Sequence, residues 1–269
     1  MSVLMIHGFG FGGDVWSRMQ PIFEARGWRC EAPTLFQHLR VRRNPPAEIN
    51  GISLNDYVRA AVDYARRLTH EEGERPAIVG HGSGALIALK LAEQGLAASA
   101  VLLSPMGLAD CGGGANRLGR AFLPSLLGLA MRRKPQAVRP CNSGFGLAFA
   151  NSLPRSDRRA AREMMRCESG LAFTELLQPA YALDGATSVD ESRIGAPTLT
   201  IAAGRDRIVS QSQVDQVANK LERAGIRGDR RLLPVNGALA PLEPNAARIA
   251  ADLADWIVAN RLPALAKSA

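Results

Sequence analysis

Only four histidines occur in the 269-residue chain, at positions 7, 38, 70 and 81, so any imidazole chemistry has to start from one of these. Two of them sit in glycine-rich turns. His7 opens His7-Gly8-Phe9-Gly10 directly after the apolar run Val3–Ile6, and His81 lies in Gly80-His81-Gly82-Ser83-Gly84 after Pro76–Val79. Glycines in such turns let the backbone come close to a ligand and aim its N–H groups at it. Further on, Gly204-Arg205-Asp206-Arg207 follows another apolar run and offers a carboxylate. Gly237–Pro244 is a last loop before a final helical pattern.

The other reactive side chains give weaker patterns. Cys30, Cys111, Cys141 and Cys167 show no CxxC and no metal-ligand spacing, which predicts free thiols in a reducing compartment. No metal and no cofactor are expected. His38 precedes the basic run Arg40–Arg43, and His70 ends a charged helical stretch, so solvent is the expected surrounding of both, with His38 also a candidate for a pocket mouth. Glu168 and Ser169, in Cys167-Glu168-Ser169-Gly170, offer a carboxylate and a helix cap.

Short apolar runs and amphipathic stretches alternate around these residues. Strands are predicted over Val3–Ile6, Gly27–Pro33, Pro76–Val79, Ser99–Leu103, Pro197–Ala203 and Arg230–Leu233. Helices are predicted from Ser53, where Tyr57, Ala60, Ala61, Tyr64 and Leu68 recur at helical spacing, and over Leu86–Leu91, Gln211–Ala224 and Ala246–Asn260. From Met106 to Ser192 only helical stretches are legible: Arg120–Met131, Ser156–Met165 and Leu171–Tyr181. The expectation is an α/β protein with a mostly parallel sheet of about six strands and helices on both faces. Residues 1–105 and 193–269 form its core, and residues 106–192 form a helical cap insertion over the carboxyl ends of the strands.

Composition sets the outer bounds. The chain is 46% hydrophobic, too apolar for disorder, and no apolar run reaches the roughly 18 residues of a membrane span. Its net charge of +8 is spread along the chain with 5% aromatics, so it argues for solvated surface charge and against nucleic acid. No leader segment is legible, and a cytoplasmic protein with a small-molecule ligand is expected. Oligomeric state is left open, a homodimer included.

The four loops, in this order and spacing, resemble those of the α/β-hydrolase superfamily: esterases, lipases and thioesterases with a helical cap. The resemblance covers nearly the whole chain and implies a sheet without the family's first two strands. It makes His7–Gly10 the oxyanion loop, with the N–H groups of Phe9 and Ser83 as donors and Gly8 beside them. It also makes Gly80–Gly84 the nucleophile elbow, Asp206 the acid and Ala238 the place of the histidine. The elbow pattern G-x-S-x-G puts its serine in the centre. Here the centre is Gly82, Ser83 comes one place later, and no histidine follows His81. Of the three triad positions, Gly82, Asp206 and Ala238, only the acid is kept. His81 and Glu168 are the remaining acid–base candidates.

Three functions fit this pattern. One is a non-hydrolytic enzyme, of lyase, isomerase or cyclase type, that polarises a small carbonyl compound in the oxyanion hole. Another is a ligand-binding pseudoenzyme. The third is an esterase or thioesterase inactivated by substitution at Gly82 and Ala238.

Overall fold

The computed structural model describes residues 1–111, 122 and 136–262. Six strands form one parallel sheet: β1 (Ser2–Ile6), β2 (Arg29–Glu31), β3 (Ala77–His81), β4 (Ser99–Leu103), β5 (Thr198–Ala203) and β6 (Gly228–Leu233). Their order across the sheet is β2-β1-β3-β4-β5-β6. β1, β3, β4 and β5 are buried along their whole length, which is why they read as continuous apolar runs and not as alternating ones.

Helices α1 (Gln20–Glu24), α2 (Leu54–Glu72) and α3 (Ser83–Glu93) precede β4. α2 begins where the sequence places it. Ser53 Oγ accepts from the Asp56 N–H, the Asp56 carboxylate accepts from the Ser53 N–H, and Gly73 closes the helix at φ 68°. Its face of Tyr57, Val58, Ala61, Ala65 and Leu68 joins the core.

Between β4 and β5 the described residues add no strand to the sheet. They form α4 (Arg155–Met164) and α5 (Gly170–Leu177), with short turns around them. The expected helix Leu171–Tyr181 breaks at Gln178 (φ −129°, ψ 64°) because Pro179 follows, and a residue before proline leaves the helical region. The expected helix Arg120–Met131 lies outside the described residues, apart from Phe122. After β5 come α6 (Gln211–Arg223), capped by Ser210, and α7 (Ala246–Asn260). All four cysteines are free thiols. No helix among the described residues is long and apolar enough to cross a membrane.

One expectation fails here. The basic run Arg40–Arg43 reads as a solvated loop, yet Arg40 is 0% exposed. Its charge is answered by Glu168 from the far side of the chain, a pairing that no local pattern announces.

Candidate active site

β3 runs into α3 through a turn that glycine makes possible at three positions. A Cβ on Gly80 would lie 2.3 Å from the Gly84 carbonyl oxygen, and one on Gly84 would lie 2.2 Å from that of Ile6. Helix and strand can therefore only meet this closely with hydrogen at both places. Gly82 differs: its Cβ would meet nothing nearer than Gly8 Cα at 3.7 Å, but its backbone stands at φ 58°, ψ −119°. The constraint at Gly82 is torsional, and glycine meets it without strain.

Ser83 then starts α3, and the oxyanion loop lies against the turn. A Cβ on Gly8 would come within 3.0 Å of the His81 carbonyl oxygen. The N–H groups of Phe9 and Ser83 donate to no acceptor among the described residues. Ser83 is the first residue of a helix, where the macrodipole adds partial positive charge to its N–H.

A small cavity opens at this turn, with some 30 Å³ for water-sized spheres, enough for about two waters. Phe9, Gly82, Ser104, Asp206 and Ala238 are among the residues that line it. Its walls are aromatic. Phe9, Phe11, Phe122, Phe145, Phe149 and Phe173 form one connected set with ring centroids 4.8–6.4 Å apart. Phe9, Phe11 and Phe149 of this set line the cavity, and apolar walls of this kind strengthen a hydrogen bond made inside.

Asp206 lines this cavity and also an open cleft with Asn151, Ser152, Arg205 and Arg207, so it stands where the two meet. One carboxylate oxygen accepts the N–H groups of Ile208 (2.7 Å) and Val209 (3.0 Å). No ion pair joins it to Arg205 or Arg207. Ala238 faces the cavity from a loop held by the buried Glu243, which accepts from the Gly237 N–H (2.7 Å) and from Asn236 Nδ2 (2.8 Å). Burial pushes the Glu243 carboxyl above its ordinary range.

His81 is buried, and its Nε2–H donates to the Ala238 carbonyl at 2.8 Å. Burial pushes its pKa down to about 4, so it is neutral near pH 7 with the lone pair on Nδ1. That nitrogen is sealed, without a partner, against Gly8. His7 is neutral as well, because burial and the nearby Arg40 both oppose its protonation. Its Nδ1–H donates to the Gly8 carbonyl (3.1 Å), and Nε2 accepts from the Leu35 N–H (3.1 Å) and from Arg40 Nη1 (3.0 Å).

Glu168 is not at this cavity. It borders a second, smaller chamber on the other side of Phe9, together with His7, Tyr57 and Ser83. Three donors bind it: Arg40 Nη2 and the Gly10 N–H (2.8 Å) on one oxygen, the Tyr57 hydroxyl (2.7 Å) on the other. A carboxylate bound in this way, with a buried arginine as counter-ion, holds structure. Ser169 caps α5 by accepting from the N–H groups of Leu171 and Ala172. His38 and His70 are exposed, and Cys111 and Cys141 do not line the cavity.

Sequence reasoning missed Arg40, the phenylalanine cluster and Ser104. Ser104 did have a signal, since it ends a strand whose carboxyl end faces the site.

The sequence matches the model of the "Alpha/beta hydrolase family" over residues 3–252. No curated protein matches it significantly. Among solved structures, tomato methylketone synthase I complexed with 2-tridecanone superposes with a TM-score of 0.72 at 13% identity, covering 97% of this chain and 98% of that one. A methylesterase from Arabidopsis gives 0.66 at 12% identity, covering 96% and 99%. A pyrethroid hydrolase from Sphingobium faniae JZ-2 gives 0.65 at 18% identity, covering 96% and 98%. At such identities the likeness speaks for the fold, and the family model spans nearly all of it: this chain belongs to the α/β-hydrolase family.

Proposed function

We propose that this protein is a non-hydrolytic enzyme, of lyase, isomerase or cyclase type, that acts on a small carbonyl compound, with residues 106–192 as its cap. The observation that carries the reading is the pair of unanswered N–H donors, Phe9 and Ser83, beside an elbow whose central residue, Gly82, has no side chain. Such a site cannot form an acyl-enzyme through the elbow, and no imidazole stands at Ala238 to activate water. It can still stabilise an oxyanion in a dry pocket.

Enolate chemistry needs little more. When a β-keto acid loses CO2, the C–C bond breaks, its electron pair moves onto the ketone oxygen as an enolate, and the α-carbon then takes a proton. No nucleophile and no base are required. The tomato methylketone synthase, whose complexes hold 2-tridecanone and, for a variant, β-ketoheptanoate, makes this compound class a reasonable first probe. Asp206, at the junction of cavity and cleft, is the side chain placed to deliver the proton, directly or through one water. Four free thiols support a reducing cytoplasm as its location.

The narrowness of the cavity and the pairing of Glu168 with Arg40 favour a second reading, a ligand-binding pseudoenzyme. One experiment separates the two. Incubation with β-ketoheptanoate is followed by 2-hexanone formation above the spontaneous rate, for the wild type and for Asp206→Asn. A catalyst turns over, and Asp206→Asn abolishes turnover while binding stays within about tenfold. A pseudoenzyme shows no turnover, and the substitution changes affinity alone. A stoichiometric fluorophosphonate adduct at Ser83 would overturn both and restore the hydrolase.

A further inference from the structure

Ser104 ends β4 and lines the cavity beside Gly82. The residue is 3% exposed, yet its hydroxyl has no hydrogen-bond partner among the described residues. The hydroxyl is therefore left to the cavity, where an occupant can reach it. Its backbone stands at φ 47°, a region that costs a non-glycine residue free energy. Glycine would hold that backbone without strain, so on grounds of stability alone it suits the position better.

The frame around Ser104 is rigid. Its N–H donates to the Ile201 carbonyl on β5 (2.8 Å), the Gly82 N–H donates to the Leu103 carbonyl (2.9 Å), and the Met106 N–H donates to the Gly82 carbonyl (3.1 Å). Ser104 is thus fixed beside the turn that carries the Ser83 N–H.

We propose that Ser104 is a ligand-binding residue whose hydroxyl donates to a second oxygen of the substrate. The substrate class is then a carbonyl compound that carries a second oxygen, with its first carbonyl on the Phe9 and Ser83 N–H groups, and a 1,3-dioxygenated compound is the probe for it. This deepens the function proposed above and rests on it.

The test compares two ligands of equal chain length, 2-hexanone and 2,4-hexanedione, by calorimetric titration of the whole protein. Wild type should bind the dione more tightly by about fivefold, the usual worth of one neutral hydrogen bond. Ser104→Ala should bind both equally with its melting temperature little changed. Ser104→Gly should also lose the preference while its melting temperature rises by about 2–4 °C, since strain is relieved. A side chain kept for structure alone would give no such rise. Retention of the preference in either variant overturns the proposal, and Ser104→Gly decides it should Ser104→Ala fail to fold. If wild type binds the ketone but the dione no more tightly, this inference falls and the reading of the oxyanion pair stands. If it binds neither, the reading itself falls and takes the inference with it.

Discussion

Gly82 has room for a side chain and a backbone that punishes one, which makes serine at this position an informative substitution. Gly82→Ser should destabilise the fold by about 1–3 kcal/mol through torsion alone, since the nearest atom to the new Cβ is 3.7 Å away. Thermal unfolding measures this, and a clear rise in melting temperature would contradict the strained geometry. Fluorophosphonate should still leave no adduct, because Ala238 supplies no base; intact mass reads that outcome. His81 gives a second residue-scale expectation. Folded, it titrates near 4; unfolded, near 6.5. Between those values the unfolded chain binds the extra proton, so this group's contribution is complete above pH 6.5 and is lost as pH falls to about 4, some 3 kcal/mol in all, to order of magnitude. His7 acts in the same sense. Glu175 and Glu243, whose pKa values burial raises, act in the opposite one. Comparison with His81→Gln isolates the histidine: in urea unfolding from pH 7 to 4, the variant should lose less stability than the wild type. Equal losses would mean that His81 is not sealed in the folded state.

At the scale of elements, the His7–Gly10 loop is held by the segment between β4 and β5. Both polar groups of Gly10 are bound from there: its N–H by Glu168 (2.8 Å) and its carbonyl by the Arg166 N–H (2.9 Å). Arg40 completes the clamp, donating to the Leu35 and Phe11 carbonyls, to His7 and to Glu168. Removing one member of such a buried pair leaves the other charge unanswered, which costs about 3–5 kcal/mol, whereas an apolar pair of similar volume is often neutral. Arg40→Met should therefore be severely destabilising, and Arg40→Met with Glu168→Leu should recover much of the loss. Denaturant midpoints of the four proteins in the cycle test this, and additive losses would deny the coupling. The same clamp explains what the sequence could and could not disclose. Strands such as Ser99–Leu103 and the Ser53 cap of α2 announce themselves within a few residues, by apolar runs and by a serine three places before an aspartate. Gly82 and Ala238 are legible because the loops around them keep their order. Arg40 reads as a surface residue, because its partner is 128 positions away and charge periodicity carries no trace of it. The six phenylalanines come from four separate stretches, around positions 9–11, 122, 145–149 and 173, and no local spacing shows that these converge.

On the scale of the whole molecule, these contacts make the insertion part of the sheet's own folding unit. Cys167 N–H donates to the Val41 carbonyl (3.1 Å), and Glu175 accepts from the Leu54 N–H at the start of α2 (2.7 Å). A cap that could lift away independently would have to break these bonds, release Gly10, and expose the Arg40–Glu168 pair and the aromatic walls to water. Each of those costs is shared with global unfolding, so nothing separates the two transitions energetically. Native-state hydrogen exchange should accordingly show the amides of Arg166, Cys167 and Glu168 exchanging with the same free energy as those of Leu4 and Met5 in β1. Their denaturant dependence should also match, because both would open only through global unfolding. Faster exchange of the insertion amides, with a smaller dependence on denaturant, would show instead that the cap opens alone. In that case the His7–Gly10 loop would loosen each time it did, since Gly10 is held by Arg166 and Glu168.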